Sequence, residues 1–344
     1  MVHLLIASAI ALMVSLIGTK ALINWQSRHG IGQPIREDGP QGHVTKAGTP
    51  IMGGVAIVGG AFAGWAISDF FYHGVYTRTG IFVMAAILGS AGVGFVDDWI
   101  KAMRERNLGL SSGTKMVGLL AVAVAFGVLM VTATDVHTTV SFTRWDSLGL
   151  GLGKILWVVW AVFLITGFSN GVNLTDGNDG LASGAAILGF AAYMFIAFWQ
   201  FRHESVYDVA HALDLAVIAA SMIGGCLGFL WWNAAPAQIF MGDTGSLAIG
   251  TGFAGLALAT NTDLLLLIIG GLFVIETASV ILQVARFRLT GKRFFRMAPF
   301  HHHMELGGLA ETKVTIRLWI VSGLCTGVGL GIFYADAIAA GITK

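Results

Sequence analysis

The stretch MVGLLAVAVAFGVLMVTAT, residues 116–134, holds 19 consecutive residues without a charge. A helix rises 1.5 Å per residue, so a run of this length approaches the roughly 30 Å hydrocarbon core of a bilayer. It recurs along the chain. Apolar runs fall at about 4–23, 51–71, 80–96, 116–134, 155–169, 183–201, 212–232, 246–260, 263–285 and 314–335. Of 344 residues, 56% are apolar and 11% charged, against about 45–50% and about 25% in a soluble domain. Too little polar surface remains to wrap a globule in water, and the net charge of +1 offers no basic surplus for a polyanion. Soluble, disordered and nucleic-acid-binding classes are excluded. The reading is an all-α polytopic integral membrane protein of about ten transmembrane helices, one transmembrane domain over 1–344.

Helices apolar all round carry no orienting periodicity, but their flanking charges do. With the N-terminus outward, Lys20, Arg28, Arg36, Lys46, Lys101, Arg104, Arg106, Lys115, Lys313, Arg317 and five basic residues of 286–296 lie inside. Arg78, Arg144, Lys154, Arg202 and Lys344 lie outside. Fifteen against five obeys the positive-inside rule and puts both termini outside. No basic residue precedes the first run, which reads as a retained span rather than a cleaved signal. Cys226 and Cys325 sit in apolar runs, where packing rather than a disulfide is expected. Gly60/Gly64 and Gly224/Gly228 have GxxxG spacing, read as internal packing.

Two inner connectors, 170–182 and 233–245, contain no Lys or Arg and are rich in Asn, Asp, Gly and Thr. Asp97 and Asp98 end the third run. Adjacent carboxylates at a membrane edge repel unless a cation is near. They read either as solvated caps or as a Mg²⁺ and general-base pair, since Mg²⁺ is held by one or two carboxylates plus substrate phosphates. Asp176, Asp179 and Asp243 each suit turn or cap duty alone, yet all five acids fall on one side of the membrane. His301, His302 and His303 cannot share one direction on a helix and lack zinc spacing, so phosphate contact by one or two of them is the better reading. Lys46 and Lys115 are phosphate ligands or positive-inside flanks. Phe240 stacks on a base or joins the interfacial aromatics, to which Trp231 and Trp232 are assigned. Gly149–Lys154 mimics a phosphate loop but lacks its spacing and faces outward.

Together these residues resemble the polyprenyl-phosphate N-acetylhexosamine-1-phosphate transferases, and within them the phospho-N-acetylmuramoyl-pentapeptide-transferase branch. The resemblance is carried by GQPIREDGP at 32–40, Lys46 with Gly48-Thr49-Pro50, Met52-Gly53-Gly54, Asp97-Asp98 and NLTDGNDG at 173–180. Asn233, FMGDTGS at 240–246, Glu276, Gln283 and PFHHHME at 299–305 complete it. The triple histidine with Glu305 favours this branch over the GlcNAc-phosphate branch. It implies a homodimer with Mg²⁺ in a bacterial cytoplasmic membrane, converting UDP-MurNAc-pentapeptide and undecaprenyl phosphate to lipid I and UMP. By resemblance Asp243 is the principal Mg²⁺ ligand, and Asp97 and Asp98 are essential, with Asp98 the base toward the lipid phosphate. Lys46, Lys115 and His301–His303 hold phosphates. Asp179 and Phe240 hold uracil, while Asn173, Asp176, Asn233 and Gln283 line the nucleotide pocket. Ile51, where the family often has Thr, and a longer loop after Asp98 depart from the pattern. The rival class is a secondary transporter, which shares Gly-rich helices and membrane-edge acids; a non-catalytic scaffold leaves the acidic connectors unexplained.

Overall fold

The computed structural model describes residues 1–32, 48–72, 76–104, 109–210 and 212–342. Four long helices come first: α1 (Val2–Arg28), α2 (Gly54–Tyr72), α3 (Arg78–Arg104) and α4 (Ser112–Ala133). A short antiparallel hairpin, β1 (Thr139–Val140) with β2 (Leu150–Gly151), precedes α5 (Gly153–Thr175), α6 (Leu181–Arg202) and the single turn α7 (Glu204–Tyr207). Then follow α8 (Ala212–Asn233), α9 (Gly242–Ala259), α10 (Leu265–Ile269), α11 (Gly271–Thr290), α12 (Phe300–Glu305) and α13 (Glu311–Ala339). The chain is an all-α polytopic membrane protein.

Seven of these helices (α1, α3, α4, α5, α6, α8 and α13) are long and apolar enough to cross a membrane, among the described residues. The expected count of about ten is not reached by that measure. The apolar part of α2 runs only from Gly54 to Ser68, the 18-residue α9 is diluted by glycine, serine and threonine, and α11 carries Glu276, Arg286 and Arg288. The run at 263–285 is one hydrophobic stretch in sequence but breaks at Gly270 into α10 and α11. The phosphate-loop mimic becomes β2 and the start of α5, with Gly149 and Gly153 both at positive φ, a conformation that glycine adopts without strain.

Helix α9 is the centre of the bundle: every residue from Asp243 to Ala259 is buried. Its neighbours come close because glycines face it. A Cβ on Gly94 of α3 would strike the Asp243 carbonyl, one on Gly54 of α2 the Gly245 backbone, and one on Gly250 the α5 backbone at Phe168 and Ser169. Phe253 stacks on Phe190 of α6 at 4.1 Å and contacts Phe273 of α11 at 5.6 Å. The two GxxxG pairs both grip α1, as internal packing requires. Gly60 and Gly64 abut the Ala11 and Ala7 carbonyls, while Gly224 and Gly228 abut those of Ser8 and Leu12. Both cysteines are unpaired.

One pair of substitutions tests the α3–α9 contact. Gly92, two residues from Gly94, has nothing within 4 Å of its would-be Cβ. Gly92→Ala is expected to leave the melting temperature unchanged or raise it, because alanine favours a helix by about 1 kcal/mol over glycine. Gly94→Ala is expected to lower it by an overpacking penalty of about 1–3 kcal/mol. Thermal melts of the two proteins in one detergent decide it, and equal melts would refute the contact.

Candidate active site

The last turns of α3 and the first turn of α9 meet head to tail. Asp97 and Asp98 are each 1% exposed and Asp243 is 7% exposed. Asp98 sits where the free amides of α9 begin. Its Oδ1 accepts the Asp243 amide at 3.0 Å, and its Oδ2 accepts the Thr244 amide at 2.9 Å and the Thr244 hydroxyl at 2.7 Å. A carboxylate on a helix N-terminus satisfies orphan N–H donors and meets the positive end of the helix dipole. Asp97 is anchored by Oδ1, which accepts the Leu110 amide at 2.7 Å.

Two lysines enter this acidic cup. Lys101, one turn beyond Asp97 on α3, places Nζ 2.5 Å from Asp97 Oδ2, 3.5 Å from Asp243 Oδ2 and 3.9 Å from Asp98 Oδ1. Lys115, in the first turn of α4, bonds Asp243 Oδ2 and lies 3.8 Å from Asp97 Oδ2. Asp243 Oδ1 is held from α5 by Asn173, whose Nδ2 donates at 2.6 Å and also reaches Ser246 Oγ at 2.9 Å. Burial pushes the Asp243 carboxyl up, but Lys101 and Lys115 outweigh it and hold the group below the usual carboxylate range. Three carboxylates against two ammonium groups leave a negative excess.

The three acids each offer an oxygen within 4.8 Å of the others, among the described residues. Hard oxygen donors on rigid helix ends suit a divalent cation such as Mg²⁺. Both oxygens of Asp98 are engaged by α9, whereas Asp97 and Asp243 each turn Oδ2 toward the lysines. Those two oxygens are the ones a cation would meet.

The α5–α6 loop forms the next wall. Asp176, just past α5, is pushed well above the usual carboxylate range by burial and by the charges of Asp243, Asp98 and Asp179. Asp179 donates its amide to Glu311 Oε1 of α13 at 2.8 Å, and its Oδ2 accepts the Ala237 amide at 3.0 Å. Asn233 fastens the same loop: its Oδ1 accepts the Gly180 amide at 3.0 Å and its Nδ2 donates to the Ile239 carbonyl at 2.9 Å. Phe240 is half-buried beside it. Its amide donates to the Pro50 carbonyl at 2.8 Å and its carbonyl accepts the Gly53 amide at 2.9 Å.

The three histidines diverge. His301 is fully buried, with Nδ1 3.2 Å from Glu276 Oε2 and its ring against Gly177. His302 Nδ1 lies 3.6 Å from Glu305. His303 accepts the Arg296 amide at 3.1 Å and stacks on Phe300 at 5.8 Å. Gln283 commits its amide to a different loop, accepting from Phe294 and Phe295 at 2.9 and 2.8 Å and donating to the Phe295 carbonyl at 3.1 Å. Lys46 lies outside the described residues.

The structure thus gathers Asp97, Asp98, Asp243, Lys115 and Asn173, and sets Asp176, Asp179 and Asn233 on the adjoining loop. It adds two residues that sequence reasoning left among ordinary charges, Lys101 and Glu311. Lys101 had a local signal, the i+4 spacing from Asp97 once α3 is carried past the apolar run. Glu311 had none, since its partner lies 132 residues away.

Residues 80–261 match the model of glycosyl transferase family 4. Over 97% of its length the chain is 47% identical to a phospho-N-acetylmuramoyl-pentapeptide-transferase of Streptomyces avermitilis, covering 98% of that protein. It is likewise 47% identical to one from Streptomyces coelicolor, with 97% and 98% covered. A third, from Frankia casuarinae, is 48% identical, with 98% of each chain covered. Acids, lysines and asparagine in one cup, on a chain that such relatives match in sequence over nearly its whole length, place it in the phospho-N-acetylmuramoyl-pentapeptide-transferase family.

Proposed function

We propose that the chain transfers phospho-MurNAc-pentapeptide from UDP-MurNAc-pentapeptide to undecaprenyl phosphate, forming lipid I and releasing UMP. The observation that carries this reading is the convergence of Asp97, Asp98 and Asp243 with Lys101 and Lys115 at one end of the bundle. That end is the cytoplasmic face in the orientation the basic residues favour, with both termini outside. The whole of 1–344 acts as one transmembrane transferase domain, in a homodimer, in a bacterial inner membrane.

Donor and acceptor are both anions, so electrostatic repulsion dominates the barrier. Asp243, with Asp97 beside it, would hold Mg²⁺, and the ion when bound would supply charge neutralisation at the donor diphosphate. Lys115 and Lys101, now neutralised by the acids, are the cations that substrate phosphates would draw away, with Lys46 and the histidines, His301 first, as further hydrogen-bond donors to phosphate. Asp98 takes the remaining proton of the lipid phosphate as its oxygen attacks the sugar-linked phosphorus. The phosphorus–oxygen bond to UMP breaks, and UMP leaves with the electron pair. A carboxylate nucleophile would require two such displacements. The α5–α6 loop, with Asp176 and Asp179, and Phe240, Asn173 and Asn233 around it, forms the nucleotide side of the pocket. Gln283 shapes the arginine-bearing loop from 294 onward.

The test is UMP release by purified protein with Mg²⁺ and undecaprenyl phosphate. UDP-MurNAc-pentapeptide is expected to support it and UDP-GlcNAc is not. The reverse preference moves the chain to the GlcNAc-1-phosphate branch, and release from neither overturns the reading.

Glu311 has a separate expected effect. Glu311→Ala removes the acceptor of the Asp179 amide, and a hydrogen bond to a charged group contributes about 1.5–3 kcal/mol. The KM for the nucleotide sugar should rise about tenfold or more, with kcat little changed, while Glu311→Gln retains an acceptor oxygen and most of the affinity. Steady-state kinetics of both variants decide it; an unaltered KM for Glu311→Ala removes Glu311 from substrate positioning.

A further inference from the structure

At the opposite end of the bundle from the acids, the last turns of α6 and α13 border a cavity of about 410 Å³. Its lining includes Phe195, Trp199, Arg202, His203, Tyr334 and Ile342. Phe195 and Trp199 are spaced i, i+4 and share one face of α6, and His203 caps the end of that helix. Their rings form a ladder, 5.9 Å from Phe195 to Trp199 and 4.5 Å from Trp199 to His203. Tyr334 closes it from α13, edge-on to Trp199 at 5.8 Å. His203 Nδ1 donates to the Trp199 carbonyl at 2.9 Å, which leaves Nε2 for another partner.

The floor of the groove is aromatic and its rim is cationic. Arg202 is exposed and meets no acid among the described residues, whereas Arg144 at the same end is held by Asp336 at 3.0 Å. Glu204 follows His203 in sequence but does not line the groove. From Phe195 to Arg202 the helix rises about 10 Å, close to the depth of one leaflet's outer acyl region. A soluble anion has no use for that apolar depth, and an uncharged lipid has none for the guanidinium.

We infer that this groove binds one anionic phospholipid, its acyl chain along Phe195, Trp199 and Tyr334, its phosphate on Arg202 and a headgroup hydroxyl on His203 Nε2. Arginine presents a planar fork that matches two phosphate oxygens. Interfacial aromatics hold the chain and glycerol region at headgroup depth. The site stands apart from the transferase centre and does not depend on the orientation of the protein, because either leaflet presents phosphates at this depth.

The experiment is native mass spectrometry of the full chain in detergent, titrated with phosphatidylglycerol or phosphatidylcholine. Wild-type protein should retain one phosphatidylglycerol in preference to phosphatidylcholine, and Arg202→Ala with His203→Ala should bind it about tenfold more weakly. Arg202→Gln alone, at an exposed position, reads the charge if the double variant does not fold. Equal retention of the two lipids by wild type, or unchanged phosphatidylglycerol binding by Arg202→Gln and the double variant, overturns the proposal. Displacement of the lipid by inorganic phosphate points to a simple anion site. Conversion of dimers to monomers in the variants, with lipid retention unaltered, assigns the groove to a second copy of the chain. Either result also overturns it.

Discussion

Asp243→Ala is expected to abolish UMP release at ordinary Mg²⁺, a loss of about a thousandfold or more, at the upper end of what one electrostatic group contributes. Asp243 is the only one of the three acids that meets both lysines and Asn173. Its removal leaves Lys101 and Lys115 facing Asp97, and the cup loses one negative charge, from net negative to neutral with Asp98 ionised, or from neutral to net positive with Asp98 protonated. Either way the site stops attracting a divalent cation. Asp243→Asn separates charge from shape, since it keeps a side-chain oxygen for Asn173 and loses the anion. Both variants should be equally inactive across a Mg²⁺ titration of UMP release. Wild-type rates from either one remove Asp243 from the chemistry.

Asp98→Ala has the second largest expected effect, and it shows in two measurements at once. Turnover should fall by about a hundredfold or more, as for loss of a general base. The melting temperature should fall too, because an N-terminal acceptor is worth about 0.5–2 kcal/mol and three donors of the first turn of α9 lose their partner. Asp98→Asn keeps one acceptor oxygen, so it should recover part of the melting temperature and little of the turnover. Falling stability with normal turnover would leave Asp98 as a helix cap alone. Normal stability with lost turnover would mean that α9 holds its position without it.

The reading of 116–134 as a membrane helix is carried by hydropathy, and α4 covers it almost residue for residue. The acids were also within reach of the sequence, because Asp97, Asp98, Asp176, Asp179 and Asp243 stand out against apolar runs. What brings them together was not. Asp98 and the Thr244 amide are 146 residues apart, and no local pattern records such a bond. Apolar runs report which residues avoid water, not which polar residues are satisfied inside protein. Hence α5 continues past its run to Thr175, carrying Asn173 to Asp243, and α9 starts at Gly242, turning Asp243 from a loop residue into a first-turn residue. Gln283, assigned to the nucleotide pocket by resemblance, bonds in the structure to the backbone of Phe294 and Phe295, partners that no local pattern in the sequence records.

The glycine grip on α1 has a consequence for synthesis. Ser15 of α1 donates to the Gly225 carbonyl of α8 at 2.7 Å, across 210 residues of chain. At about 5–20 residues per second, the first helix is made roughly 10–40 s before the surface it fits. During that interval Gly60 and Gly64 of α2 can already pack on its small residues, while the part of that face that fits α8 meets only lipid or a chaperone. Helix α1 is therefore a waiting component: its α8 contact closes only after some 210 further residues have been made.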